Sequence, residues 1–446
     1  MEEKVINVAE KTDNQLRCPY CNSSQIGFNQ QTGKLRCNYC QKEFEGKTVN
    51  SVATNVFNLI GQTISKGAAN INVDSSNLIA VKCSNCGAEV VIDTNNIANS
   101  KCHWCNSVLS ITAKIDNGVI PDVILPFKIN QNEAYEKAQR FIKQRSFFAN
   151  RRFKANFKVE NMKGVYFPYF IVDSNRHINV SGVGRHITKK REKEEGRSTV
   201  YICDVDKYNV EREFDIAISN LTIESNTERL MKNSERTNNI INSIMPFDIE
   251  NCVQFEPHYL NGYTAEKRDV NVEEINSKVN KHCDEIIGTF IEKDTKFYDY
   301  GVKYSQGIND EIGSQWLTAY LPVWIYSYQD KENVIHYLAV NARTGETMGS
   351  VPLKRAALVL SMIAISVLAL AIIITYMMLN PDGDNSVLGI LLIMAVVGPV
   401  VLYVNIDGKY LNQGARHSYT EDTKYQVTNI RRVDEYVEHE KGLKKY

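Results

Sequence analysis

No compact catalytic signature runs along these 446 residues. G-x-x-x-x-G-K-[ST], G-x-S-x-G and H-E-x-x-H are all absent, and GVG at 182–184 lacks the third glycine of a dinucleotide loop. The eight histidines are scattered without ligand spacing. Nothing here nominates an enzyme, and no small-molecule substrate is evident. Net charge is missing too. The 52 Lys plus Arg offset 52 Asp plus Glu, which speaks against a chain built to coat nucleic acid. The opening MEEKVINVAEKTDNQ has no apolar core and is not a secretory signal, so the N-terminus is expected in the cytosol with reduced thiols.

What is present is cysteine in a repeated frame. CPYCNSSQIGFNQQTGKLRCNYC starts at Cys18 and CSNCGAEVVIDTNNIANSKCHWC at Cys83. In each, two residues separate a cysteine pair, fifteen follow, and a second pair closes the frame. A tetrahedral metal needs four soft ligands from two facing turns. A C-x2-C turn supplies two thiolates, and fifteen residues allow one hairpin to bring the second turn back. The predicted ligands are Cys18, Cys21, Cys37 and Cys40 in the first frame, and Cys83, Cys86, Cys102 and Cys105 in the second. Two structural Zn2+ ions fit this set, with iron in a rubredoxin-like site as the alternative. A redox C-x-x-C normally stands alone at a helix start in a βαβ pattern, which is absent here. IGFN, QQTG and KLRC read as strand, turn and strand in the first frame; EVVID and NN do so in the second. Gly87 suits the tight knuckle after Cys86. His103 is expected at the surface. Cys203, Cys252 and Cys283 are expected to be buried, inert thiols, and His282 beside Cys283 is no dyad.

The expected fold class is multidomain. Two small four-cysteine zinc ribbons (14–46 and 80–112) are joined by a linker (47–79). Its weakly amphipathic middle, Val56, Phe57, Ile60 and Ile64, predicts a short helix packing on a ribbon. An α+β domain follows over 120–352 in two related halves, about 120–245 and 246–352. Asn130 and Glu133 form a capping-box pattern that starts a helix. GVYFPYFIVD reads as a strand, and its YFPYFI is mirrored by YLPVWI at 320–325. Helical patterns precede both runs and strand and turn signals follow both. Pro168 and Pro322 suggest edges or bends. The mixed-charge run KKREKEEGR at 189–197 reads as an exposed hairpin tip.

A transmembrane helical hairpin is expected at 353–406. Residues 356–379 carry no charge and are long enough to span about 30 Å of hydrocarbon; 387–404 are shorter but adequate, with Pro399 a kink. Lys354 and Arg355 precede the first span and Lys409 and Arg416 follow the second, whereas the connecting NPDGDNS has no basic residue. The expected location is therefore the cell membrane, multi-pass, with both termini cytoplasmic. The tail at 407–446 is expected to be a short helix or a solvated extension.

Together with GVYFPYFIVD, FEPHYLNGYTAEKRD, AYLPVWIY and the VNARTGE turn, the ribbons and membrane hairpin resemble those of a bacterial family. Its members are membrane-anchored proteins with TFIIB-type zinc ribbons, mainly of Firmicutes. The resemblance implies a setting beside phage-shock (PspA-like) and SPFH-domain proteins, in an envelope-stress assembly. Residues and resemblance together point to a membrane-tethered scaffold that recruits a protein partner. Nucleic-acid binding through the ribbons, in replication or transcription, is the alternative. The first ribbon carries Arg17, Lys34, Arg36 and Lys42 against Glu43 and Glu45, and the second is neutral, which is little charge for a phosphate-binding face.

Overall fold

The computed structural model describes residues 4–6, 17–23, 25–29, 32, 34–45, 55–69, 78–93, 101–109, 114–115, 120–195, 198–226, 244–329, 335–379, 385–411, 413–414 and 424–445. The first four-cysteine module is a small antiparallel sheet of β1 (Ile26–Asn29), β2 (Lys34–Cys37) and β3 (Glu43–Phe44). β4 (Gly61–Ser65) comes next, then the hairpin of β5 (Leu78–Lys82) and β6 (Glu89–Asp93). β7 (Val123–Ile124), α1 (Gln131–Lys143) and α2 (Arg151–Asn156) lead into two long strands, β8 (Lys163–Glu195) and β9 (Ser198–Glu224). After them come β10 (Thr264–Glu266), α3 (Val272–Asp294), β11 (Val302–Gln329), β12 (Ile335–Asn341) and β13 (Thr347–Gly349). α4 (Arg355–Leu379), α5 (Asn385–Leu411) and β14 (Lys424–Lys445) close the chain. Asn130 caps α1 in a full capping box with Glu133, and Asn271 with Glu274 does the same for α3.

β8 and β11 pair antiparallel from Lys163↔Ile325 to Gly184↔Val302. The two aromatic runs therefore lie against each other, with Tyr166 opposite Pro322, Phe167 opposite Leu321 and Pro168 opposite Tyr320. Both faces of this pair are covered. Tyr166, Tyr320 and Trp324 join Phe141 and Phe153 on one side. Phe167, Tyr169, Leu321 and Val323 join Met245 and Phe247 on the other. A sheet buried on both faces reads as a continuous apolar run, which is how GVYFPYFIVD reads.

The prolines are not at sheet edges as expected: they sit on adjacent central strands. Each lies where its outer neighbour stops. The Pro168 carbonyl accepts from Ser225 N–H, one residue past the end of β9, and the Pro322 carbonyl from Ala342 N–H, one past β12, each at 3.1 Å. A residue's N and C=O point the same way in a strand, so each missing N–H faces a position where no ladder continues.

Three further expectations change. GVYFPYFIVD is not a strand of its own but part of β8, a strand of 33 residues, on the order of 100 Å long at about 3.3 Å per residue. The described part of the linker is not placed on a ribbon. β4 instead pairs parallel with Gly313–Trp316 of β11 and so belongs to the main sheet. The tail is neither helix nor solvated extension, since β14 pairs with β9 from Tyr201↔Lys445 to Ser219↔Lys424. Arg212, which is 4% exposed, fixes it there, meeting Asp294 of α3 at 2.7 Å and Asp434 of β14 at 2.9 Å. Arg212 lies 222 residues from Asp434 in sequence, so the tail's own pattern carries no sign of its strand. Beyond the aromatic runs, β8 and β9 pair on as a long blade, and Ile275, Val279, Cys283 and Ile286 of α3, spaced three and four apart, cover its apolar face at Ile178, Phe214 and Ile216.

Among the described residues one helix, α4, is long and apolar enough to cross a membrane. The expected two-span hairpin reduces to that one candidate. α5 is a helix of 27 residues with Pro399 inside it, but its described apolar stretch is Val397–Gly408, shorter than a hydrocarbon core requires. α5 packs against α4, and both return to one place. Val351 N–H donates to the Tyr410 carbonyl at 2.9 Å and Phe148 N–H to the Tyr410 hydroxyl at 3.1 Å.

Asp173, 2% exposed, sits on β8 where the register with β9 shifts, and it accepts from Asn220 N–H at 2.6 Å. Burial pushes its carboxyl up to about 6, against that one hydrogen bond. A raised carboxyl contributes stability below the unfolded value of about 4, and that stability is lost as pH rises through about 6. Asp173→Asn keeps the acceptor and removes the charge. It should stabilise the chain at pH 8 by roughly 3 kcal/mol. At pH 3, below the unfolded value, the gain should almost vanish, as read by thermal unfolding in detergent. An equal gain at both pH values would show that burial of the charge is not the cause.

Candidate metal centres

All four C-x-x-C segments fold into the same knuckle. The carbonyl of the leading cysteine accepts an N–H from the residue four positions on, at 2.9 Å in every case, from Asn22, Gln41, Gly87 and Asn106. The N–H of the same cysteine donates to the carbonyl five positions on, at Ser23, Lys42, Ala88 and Ser107. The residue after the second cysteine takes a left-handed backbone, with φ of 58°, 64°, 77° and 63°. Glycine suits that position and asparagine tolerates it. Gln41 is there because the turn, rather than its own preference, sets its backbone.

The knuckles face each other in two pairs. Cys18 and Cys40 Sγ are 3.6 Å apart and Cys21 and Cys37 3.5 Å. In the second module the Cys83–Cys105 and Cys86–Cys102 distances are 3.5 and 3.6 Å. Within each module the four sulfurs lie within 4.8 Å of one another. A tetrahedron of thiolates about 2.3 Å from a central zinc has edges of about 3.8 Å, so both modules fit such a cation. The eight cysteines predicted as ligands are thus brought together, four and four.

Four thiols this close cannot all ionise by themselves. Ser23 N–H draws Cys21 down, yet burial and three neighbouring sulfurs carry it up to about 12. Burial resists ionisation of Cys37, but the Cys40 and Tyr39 N–H groups outweigh it and hold it at about 6. Cys86, pushed up by burial to about 11, and Cys105 at about 6, where burial is outweighed by Ser107 and Asn85, repeat the division. A divalent cation removes the conflict and lets all four bind as thiolates.

The modules differ in where their knuckles point. In the first, Tyr20 and Tyr39 are 57% and 76% exposed, while Ile26 and Leu35 join the cluster holding Tyr259 and Leu260. In the second, the CHWC knuckle is driven into the main fold. His103 is fully buried, which corrects its expected surface position. Its Nε2 lies 3.3 Å from Glu266 Oε1 and its Nδ1 3.1 Å from Thr264 Oγ1, so both ring nitrogens face β10 and away from the sulfurs. Trp104 Nε1 donates to Glu266 Oε1 at 2.7 Å, and the indole packs edge-on against Phe167 and Tyr337. Ser327 Oγ donates to the His103 carbonyl and Lys163 Nζ to the Cys102 carbonyl. β6 pairs with β10, and β10 with β8, so this module is continuous with the central sheet. Sequence reasoning missed this because Thr264 and Glu266 lie some 160 residues away.

Cys203, Cys252 and Cys283 are buried as expected, and burial pushes the Cys283 thiol up to about 11. His282 meets Glu285 at 3.3 Å, so it is held along its own helix.

The full chain should carry two metal ions by elemental analysis. Cys18→Ser should lose one ion and leave the unfolding midpoint of the main sheet nearly unchanged. Cys102→Ser should lose the other and lower that midpoint, because its knuckle is part of the core. His103→Ala should keep both ions yet cost about 3 kcal/mol, since a buried carboxylate loses a partner.

No family model matches the chain. No solved structure matches it. A curated protein of Bacillus subtilis (strain 168), the uncharacterized protein YdjG, is 30% identical over 340 residues, which is 76% of this chain and 90% of that protein. Identity sustained over nearly the whole of that relative cannot come from the cysteine frames alone, and the chain belongs to the YdjG family of bacterial proteins.

Proposed function

We propose that the chain is a membrane-anchored adaptor. Two zinc ribbons and an α+β stem hold a protein partner at the cytoplasmic face. The observation that carries this reading is the contrast between the knuckles. Trp104 of the second module is half-buried against Phe167 and Tyr337, whereas Tyr39, at the same place in its own knuckle, is 76% exposed. The second module demonstrates what such a knuckle does with a protein surface. The first has the same device turned outward, with a large aromatic and no partner surface from the described residues against it. Aromatic anchors of this kind dominate protein interfaces. The family resemblance names SPFH-domain or PspA-like proteins as the partner class.

α4 supports the anchor. Leu360, Val367, Leu368 and Ile372 are each at least 60% exposed, an apolar surface that water does not favour. In the proposed topology α4 and α5 form a two-span hairpin with both chain ends in the cytoplasm. Nucleic-acid binding is the second reading. Lys42 Nζ lies 4.8 Å from the Tyr20 ring centre in a module that also carries Arg17 and Arg36, and an aromatic with a basic neighbour can stack a base.

With p-benzoylphenylalanine in place of Tyr39, illumination of native membranes should crosslink the full chain to a discrete protein, and Cys18→Ser should abolish the adduct. A nuclease-sensitive adduct would replace the adaptor reading with the nucleic-acid one. For topology, Asn385→Cys should react with an impermeant maleimide in intact cells above the wild-type background. Lys445→Cys should react only after permeabilisation. The reverse pattern would invert the orientation.

A further inference from the structure

A basic face lies where the main fold meets the apolar helices. Residues 137–159 contain eight Lys and Arg and no Asp or Glu. Arg140, Lys143, Arg151, Arg152, Lys154 and Lys158 are exposed. The segment runs from the end of α1 through a turn into α2, and its middle is tied to the root of α4. Ala149 bridges Leu353, Asn150 N–H donates to the Pro352 carbonyl at 2.8 Å, and Lys354 N–H donates to the Phe148 carbonyl at 2.8 Å. The end of α5 reaches the same spot through Tyr410, which is 5% exposed. Residues 148–150 therefore stand level with the point where α4 begins. Lys354 and Arg355 add two cations there, and Asp407 on α5 is the acidic group nearest in sequence to Tyr410.

Phe147 gives this face its second property. It is 84% exposed, although Phe148 beside it is half-buried and Phe153 is fully buried. Its position is imposed by its neighbours. Arg145, 5% exposed, lies over the Phe141 ring and donates to the Phe141 carbonyl, while Lys154 Nζ donates to the Ser146 carbonyl. The turn is thus pinned on both sides with its one large apolar side chain pointing out, flanked along the chain by exposed Lys143, Arg151, Arg152 and Lys154. Aromatic side chains favour the membrane interface, and clustered Lys and Arg beside a span bind anionic headgroups.

We infer that residues 143–154 are a second, surface membrane contact: Phe147 enters the headgroup–acyl boundary and the surrounding cations bind anionic lipid headgroups. This rests on the reading of α4 as a membrane span. It adds that the stem is held against the bilayer by two contacts, so its tilt depends on lipid charge. A single helical root would leave the stem free to pivot. A face of this kind is also sensitive to ionic strength, since exposed cations are screened within about 10 Å at 0.1 M salt.

The test uses the full chain in nanodiscs whose acyl chains carry bromine, which quenches tryptophan at contact range. Of the three native tryptophans, Trp316 and Trp324 are buried, and the wild-type signal sets the baseline. Leu368→Trp, at mid-α4, reports the span. Phe147→Trp reports the surface contact. Expected is strong quenching of Leu368→Trp in both phosphatidylglycerol and phosphatidylcholine discs. Phe147→Trp should be quenched in phosphatidylglycerol only, and that quenching should be lost on adding Arg151→Gln with Arg152→Gln or 0.5 M salt. Unquenched Leu368→Trp would overturn the membrane reading itself. Quenched Leu368→Trp with unquenched Phe147→Trp in both lipids would overturn this inference alone. Equal quenching of Phe147→Trp in both lipids would remove the role of lipid charge and overturn it as stated. So would a response of Phe147→Trp to soluble heparin but not to anionic lipid, which would assign the face to a soluble polyanion.

Discussion

The pairing of β8 with β11 is the constraint on which the rest depends. It sets Tyr166–Pro168 against Tyr320–Pro322 and makes a two-stranded spine with apolar side chains on both faces. The elements that pack on this spine are placed by the part of it each one covers. α1 and α2 close one face, the segment around Met245 and Phe247 closes the other, and α3 lies along the distal blade. The prolines end the lateral ladders on both sides. Beyond them, outer strands diverge and leave room for β10 and the second metal module on one side, and for the 342–346 turn on the other.

The second metal module uses that room. Small hairpins with little apolar surface depend on their metal for much of their folding free energy, on the order of 10 kcal/mol for a structural zinc. Here the four-cysteine knuckle delivers His103 and Trp104 to a buried carboxylate, so a metal bound there would be coupled to core packing. A buried His–Glu pair is by itself weak evidence of net stability, since desolvation offsets attraction. Its clearer effect is positional. Glu266 can meet both ring N–H groups in one arrangement of the knuckle, and that arrangement sets where the four sulfurs sit relative to the sheet. The first module has no such obligation and keeps its tyrosines outside.

Much was legible locally. The paired frames named the eight cysteines that cluster four and four, because four soft ligands in two turns leave few spacings. Asn130 with Glu133 marked the start of α1 because a capping box is a contact within four residues. The charge-free 356–379 run announced α4 by composition. The misreadings share one cause, contact over long sequence separation. The tail became β14 because Arg212 and Asp294 wait for it. The linker became β4 because β11 has an open edge at Gly313–Trp316. His103 is buried because β10 supplies Thr264 and Glu266. The basic run at 137–159 was visible as letters, but its level at the root of α4 depends on the Ala149–Leu353 bridge.

The sequence by itself determined the two four-cysteine sets, the start of α1 and the apolar run of α4, because each is fixed by residues close along the chain. Only the tertiary structure decided which knuckle faces inward, which proline is tolerated and where the tail ends. Those outcomes depend on which partner surface survives elsewhere in the fold. No local pattern encodes the distance between a histidine at 103 and a carboxylate at 266.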